Sequence, residues 1–375
     1  MKCLGLLFLA VSVAGRFTDD LYKLLGKENG DKNLICSPLS VEIAMSMVYM
    51  AAEGNTAAEL RKVLKLPADK KEVSKKYKEL LTGLEGREKV AILDLANRLY
   101  VNNKFQLVPE YNQVVRDSFK AEAEAISMAN PGNAASIINK WVNDQTSGRI
   151  KNIISSTDIN SDLVVVLLNA IYFKGQWKYN FDPKFTRKAD FQVTKTNRLP
   201  VEMMSQTDSF RAANLKSLDA KVIELPYRNS SLSMLIFLPN KVDGLQELES
   251  KIAGFSGPLK ELRVRLKLPK FKIEFSADLI KFLEKMGIRE AFSNSAKLSG
   301  LVSKPAVKIG KAFQKAFIEV NEDGAEAAAV TMVQIVPVSA VPLPDMEFIA
   351  DHPFAYVIRD ENTIYFQGHF VKPGM

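Results

Sequence analysis

The chain is poor in the residues that most often carry chemistry. Of its 375 residues, two are cysteine (Cys3 and Cys36) and two are histidine (His352 and His369). Two cysteines allow neither a disulfide framework nor a paired-Cys metal site. HExxH, GxSxG, GxGxxG and GxxxxGK[ST] patterns are all absent. A His-dependent nucleophile would have to recruit one of two histidines from the C-terminal strand region. Carboxylates are scattered rather than paired. No metal or cofactor is expected, and catalysis is the weaker class of function. Long apolar runs are missing too: none approaches 18 residues without charge, so no membrane span is expected. Positive charge is missing locally: residues 316–358 hold no Lys or Arg, although the chain carries 51.

What is present is an ordinary globular composition, 47% hydrophobic and 25% charged. No linker, low-complexity tract or fixed-period repeat divides it. One large domain over residues 15–375 is the reading. Residues 1–14 stand apart, with Lys2, an apolar run over residues 4–14, and small Ser12 and Ala14 where a signal peptidase reads. They are expected to be a signal peptide, with a buried N-terminal helix as the alternative. Cleavage after Ala14 would leave 50 basic against 43 acidic side chains, a net charge of +7. The mature chain would be secreted, extracellular and free of internal disulfides. Cys36, in the apolar LICSPL, reads as a buried inert thiol. Asn229 in Asn-Ser-Ser is the one glycosylation sequon, in a polar turn between two apolar strands.

Along the chain, Ser40 is expected to cap a helix running toward Gly54, and Thr56 to open another with Glu59 in a capping box. Residues 69–84, 135–146 and 279–286 read as further helices. Residues 163–173 (LVVVLLNAIYF) read as a strand buried on both faces, with Asn169 its one polar side chain. VIELPY, SMLIFLP, VRLKLPKFKIEF, FAYVI and TIYFQGHFV read as strands. Helices first and a large sheet later imply a mixed α and β class, α+β rather than alternating units. On the helix from residue 69, Lys71, Lys75 and Lys78 share a face and Lys70 and Lys76 flank it. Such a stripe attracts polyanions such as a glycosaminoglycan, though a solvated face is the plainer reading. No interleaved aromatics suggest stacking on bases, so nucleic acid is not an expected partner.

The Lys- and Arg-free stretch contains EDGAEAAAVT, then proline-dotted MVQIVPVSAVPLP. Read as a strand, Ala325, Ala327, Ala329, Thr331, Val333 and Ile335 share one face, small at its first three positions. Such a segment could slot between existing strands without displacing neighbours. Gly324 supplies a hinge. Pro337, Pro342 and Pro344 oppose regular pairing and favour an extended, presented shape.

These blocks, with NLICSPLSVEIAMSMVYMAAEGNTAAELRKVL, INKWVNDQTSGRIKNII, LLNAIYFKGQW, LPKFKIEF, FIEVNEDGAEAAAVT and DHPFAYVI…GHFVKP, resemble the serpin family in order and over nearly the whole mature length. The resemblance implies a metastable fold of three β-sheets, eight or nine helices and an exposed reactive loop at about residues 322–345. It implies a monomer whose partner is a target serine protease, trapped as a covalent acyl-enzyme when the cut loop inserts into the large sheet. Carried over by position, Glu322 opens the hinge with Lys270 as its partner. Gly324, Ala325, Glu326, Ala327, Ala328, Ala329 and Thr331 form the inserting arm. Ser37, Ser40 and Asn169 match the shutter beneath the opening sheet, and Trp177 the breach at its top. Sixteen residues on from Glu322, the reactive bond is Val338–Ser339, with cuts after Ile335 or Met332 as other registers. Val338 suits an elastase-like or chymotrypsin-like enzyme, and no basic residue suits a trypsin-like one. The chain departs from the family pattern in three places. Ala325 replaces a Thr, Gln314 replaces a shutter His, and Ala355 replaces a bulkier apolar residue. A non-inhibitory carrier or chaperone, or a polyanion-binding module, are the competing functions.

Overall fold

A computed structural model describes residues 8–84, 91–323 and 343–374, with backbone alone for residues 8–16, 91–94 and 174. Gly324, Ala325, Glu326, Ala327, Ala328, Ala329, Thr331, Val338 and Ser339 therefore lie outside the described residues.

The chain opens with α1 (Phe8–Glu28), β1 (Leu34–Cys36), α2 (Pro38–Ala51), α3 (Gly54–Leu64) and α4 (Lys70–Thr82). Next come β2 (Ala91–Asn102), α5 (Pro109–Phe119), β3 (Glu122–Ile126), α6 (Pro131–Gln145) and β4 (Val165–Gly175). A run of strands follows: β5 (Arg187–Gln192), β6 (Arg198–Leu215), β7 (Ala220–Pro226) and β8 (Ser233–Pro239). Then come α7 (Leu245–Glu249), β9 (Lys260–Pro269), β10 (Phe271–Asp278), α8 (Ile280–Met286) and β11 (Ile309–Val320). The last strands are β12 (Met346–Ile349), β13 (Phe354–Arg359) and β14 (Ile364–Phe370).

Five strands, in the order β10-β11-β4-β2-β3, make one sheet, in which β11 runs parallel to β4. Nine strands make the other, β1-β14-β13-β8-β7-β6-β9-β12, with β5 added on β6. The 18-residue β6 pairs with β5 and β9 early and with β7 late. Two of the three expected sheets are thus hydrogen-bonded into one through β6. The class is α+β, and eight α-helices are described.

The apolar run in β4 has a simple cause. Val165, Leu167, Ile171 and Phe173 face a core shared with α2, while Val166, Leu168 and Ala170 face α6. With both faces covered, alternation disappears. Helix α2 is buried nearly all round, because it lies between β2 and β4 on one side and β14 on the other.

Two cap assignments from sequence are corrected. Ser37, not Ser40, is the N-cap of α2: Pro38 fits the first helical position, and Ser37 Oγ accepts from Ser40 N–H at 3.3 Å. Helix α3 begins at Gly54, with Glu53 at its N-cap and no side-chain cap. Thr56 Oγ1 instead accepts from Lys297 N–H, and Glu59 accepts two backbone N–H groups from Arg289 and Glu290. Distant loops claimed these side chains because their own donors were otherwise unmet.

Candidate functional site

Strands β4 and β11 are direct neighbours, and three side-chain amides lie in line across them. Gln314 on β11 is registered with Asn169 on β4, and Asn169 with Asn97 on β2. All three point to the face that holds Ser37 and Ser40. Gln314 Nε2 donates to Asn169 Oδ1 at 2.6 Å and to the Ser37 carbonyl at 2.9 Å. Gln314 Oε1 accepts from Ser37 N–H at 3.2 Å. Asn169 Nδ2 donates to Asn97 Oδ1 at 2.5 Å and to Ser40 Oγ. Exposure is 0% for Ser37, Ser40 and Asn169, 2% for Gln314 and 6% for Asn97. The cluster is neutral and buried. Each bond matters because its loss would strand a buried polar group.

The outer face of the same strand pair is held separately. Lys315 Nζ donates to the Asn152 carbonyl and lies 2.5 Å from Glu274 Oε1. Phe317 packs on Tyr172 with ring centroids 5.8 Å apart.

At the C-terminal end of β11 the chain is gripped on several sides. Trp177 Nε1 donates to the Asn321 carbonyl at 3.0 Å, and Trp177 N–H to the Asp323 carbonyl at 3.2 Å. Phe181 N–H donates to the Glu322 carbonyl at 2.9 Å. The Trp177 indole stacks on Tyr227 at 4.7 Å. Glu322 Oε2 lies 2.9 Å from Lys270 Nζ, and its Oε1 accepts from Thr186 Oγ1 at 2.7 Å. Burial pushes the Glu322 carboxyl up, but the bonds from Lys270 and Thr186 outweigh it and hold it below its ordinary 4.5. Glu322 and Lys270 thus meet as a pair, with Trp177 beside them, eight residues on from Gln314 and just past the end of β11.

The lysine stripe is thinner than its spacing suggests. Lys70 Nζ donates to the Met50 and Ala52 carbonyls at 3.0 and 2.7 Å, closing the end of α2; burial pulls its pKa down. Lys76 pairs with buried Glu42 at 3.2 Å. Lys71, Lys75 and Lys78 remain on the exposed face, Lys75 at 3.9 Å from Glu79. Asn229 is exposed in the turn between β7 and β8, at φ +48°. Sequence reasoning missed Asn97, Thr186 and Lys315. Only their register on strands and loops brought in from elsewhere reveals them.

Among the described residues no His, Cys, Asp and Glu cluster could hold a metal ion, and no helix is long and apolar enough to cross a membrane.

Comparison with known proteins agrees with this architecture. The serpin (serine protease inhibitor) family model matches residues 12–373. Serine protease inhibitor 42Dd of Drosophila melanogaster is 51% identical over 375 residues, covering 100% of each chain. The leukocyte elastase inhibitor of Homo sapiens is 35% identical over 373 residues, covering 96% of this chain and 98% of its own. The crystal structure of Serpin48, a highly specific serpin in the insect Tenebrio molitor, aligns with a TM-score of 0.90 at 32% identity, covering 99% of this chain and 100% of its own. Relatives so named point to protease inhibition rather than catalysis. The chain belongs to the serpin family of serine protease inhibitors.

Proposed function

We propose that this chain inhibits serine proteases as a suicide substrate, by inserting its cut loop between β4 and β11. One observation carries the reading: β4 and β11 are parallel neighbours, and the chain leaves β11 at the mouth between them. A strand that reverses after Asp323 and enters that gap runs antiparallel to both walls. It can therefore satisfy hydrogen bonds on both sides. Residues 324–335 number twelve, matching the twelve residues of β11. The far end of the loop enters β12, which belongs to the other sheet. A cut between the two ends frees the arm on β11 while β12 stays where it is.

The reactive bond is Val338–Ser339, and the target has an elastase-like or chymotrypsin-like pocket. Such pockets discriminate a methylene by only about 1–3 kcal/mol. The protein acts outside the cell as a monomer, after removal of residues 1–14. That cut shortens α1 but keeps its buried Phe17, Leu21, Tyr22 and Leu25. Asn229 is the glycan acceptor, and Lys71, Lys75 and Lys78 offer a sulfated polysaccharide its contact.

Incubation with a pancreatic or neutrophil-type elastase tests the proposal. The expected products are an SDS-stable adduct and a C-terminal peptide starting at Ser339. Rapid cleavage with no adduct would instead support the carrier reading. Ala327→Arg is expected to convert trap into substrate, because a charge would have to enter the sheet interior. Full trapping by that variant would refute the assigned inward face.

A further inference from the structure

A neutral imidazole has one donor nitrogen and one acceptor. His369 on β14 has no use for an acceptor. Its side chain is fully buried, and Nδ1 lies 2.7 Å from Glu249 Oε1. Nε2 lies 2.8 Å from the Lys32 carbonyl and 3.3 Å from the Asn29 carbonyl. Every partner is an acceptor, so the surroundings call for an imidazolium with a proton on each nitrogen. Glu249 Oε1 also accepts the hydroxyl of Tyr22. Four parts of the molecule meet here: α1, the α1–β1 connection, the end of α7, and β14.

We propose that His369, Glu249 and Tyr22 form a proton-held clamp. It pins α1 and β1 to β14 while His369 is charged and loosens them as His369 loses its proton. The clamp rests on packing alone and not on the trapping mechanism.

The other groups that face it do not compete for the proton. Cys36 on β1, Tyr22 on α1 and Tyr356 on β13 are all pushed upward by burial, and so stay neutral through the range in question. Asp19 on α1, next to Gln367, is also raised, by burial against the pull of Lys23. For His369, burial opposes the charge. The bond and charge of Glu249, with the Lys32 and Asn29 carbonyls, outweigh it and raise its pKa above 6.5. A group raised on folding contributes its full stability below the unfolded value of 6.5. That contribution is lost as pH climbs through the raised folded value.

The clamp reaches the candidate site through β1. His369 is registered with Leu34, and Cys36 ends the strand one residue before Ser37. Ser37 in turn exchanges two bonds with Gln314. That shutter holds only Ser, Asn and Gln side chains, so it has no titration of its own. Alkaline release at His369 would loosen the strand on which its Ser37 end is mounted.

The experiment uses the full chain. Two histidines give two imidazole Cε1 resonances, and His369→Lys assigns them. The resonance of His369 is expected to titrate with a midpoint above 6.5, and Glu249→Gln to lower that midpoint by at least one unit. The melting temperature of the unaltered protein is expected to fall more between pH 6.5 and 9.5 than that of His369→Lys, which keeps its cation. A His369 midpoint at or below 6.5, or parallel melting profiles in the two proteins, would overturn the proposal. If His369→Lys does not fold, the shift in Glu249→Gln decides by itself, assigned against His352→Gln.

Discussion

Strand β11 is fastened in two chemically different ways. At its middle, Gln314 sits in a buried, uncharged lattice with Asn169, Asn97, Ser37 and Ser40. At its end, Glu322 is held by a charged pair to Lys270, whose side chain is 36% exposed. The middle resists opening because a half-made buried network leaves polar groups with neither partner nor water. The ion pair at the end contributes less by itself, since water can replace Lys270 as the pair separates. Along this stretch the fastening thus changes from buried and uncharged at Gln314 to charged and partly exposed at Glu322 and Lys270.

The largest effect is expected from Asn169→Ala. It removes one of the two bonds of Gln314 Nε2 and leaves Asn97 Oδ1 and Ser40 Oγ without their donor at once, a loss of about 2–4 kcal/mol. Urea unfolding of the intact protein reads this directly, and a loss under about 1 kcal/mol would erase the contrast between middle and end. Next comes Glu322→Gln, at about 1 kcal/mol once solvent screening at Lys270 is allowed for. Its pH dependence has a definite sign. The Glu322 carboxyl is lowered on folding, so its contribution is present above 4.5 and disappears as pH falls through the folded value. Stability curves of the two proteins should therefore separate at neutral pH and converge in acid. Curves that stay parallel down through that range would show that the latch is not the ion pair. The smallest effect on stability is expected from Lys71, Lys75 and Lys78 changed together to Ala, within about 0.5 kcal/mol. Retention on a sulfated column should nevertheless drop, and more so at low salt. Unchanged retention would remove the lysine face from consideration as a polyanion contact.

Much of the scaffold is legible in local pattern. The apolar runs in β4 and β8, and Asp69 before α4, which accepts from Lys71 N–H at 2.8 Å, all announce themselves. Strands β2 and β11 are harder to read. They carry Asn97, Arg98, Gln314 and Lys315, polar side chains that interrupt an apolar pattern because each has a partner across the fold. The lysine stripe misleads for the opposite reason. Spacing places Lys70 beside a solvated face, yet its ammonium caps α2 from outside that helix.

By itself the sequence determined what depends on neighbours along the chain: the apolar runs of β4 and β8 and the start of α4 at Asp69. Tertiary structure alone decided which polar groups would be neutralised, lined up or charged. Gln314 and Ser37 are 277 positions apart, and His369 and Glu249 are 120. A side chain's protonation and bonding depend on the atoms within a few ångströms of it, and for these residues those atoms come from distant parts of the chain.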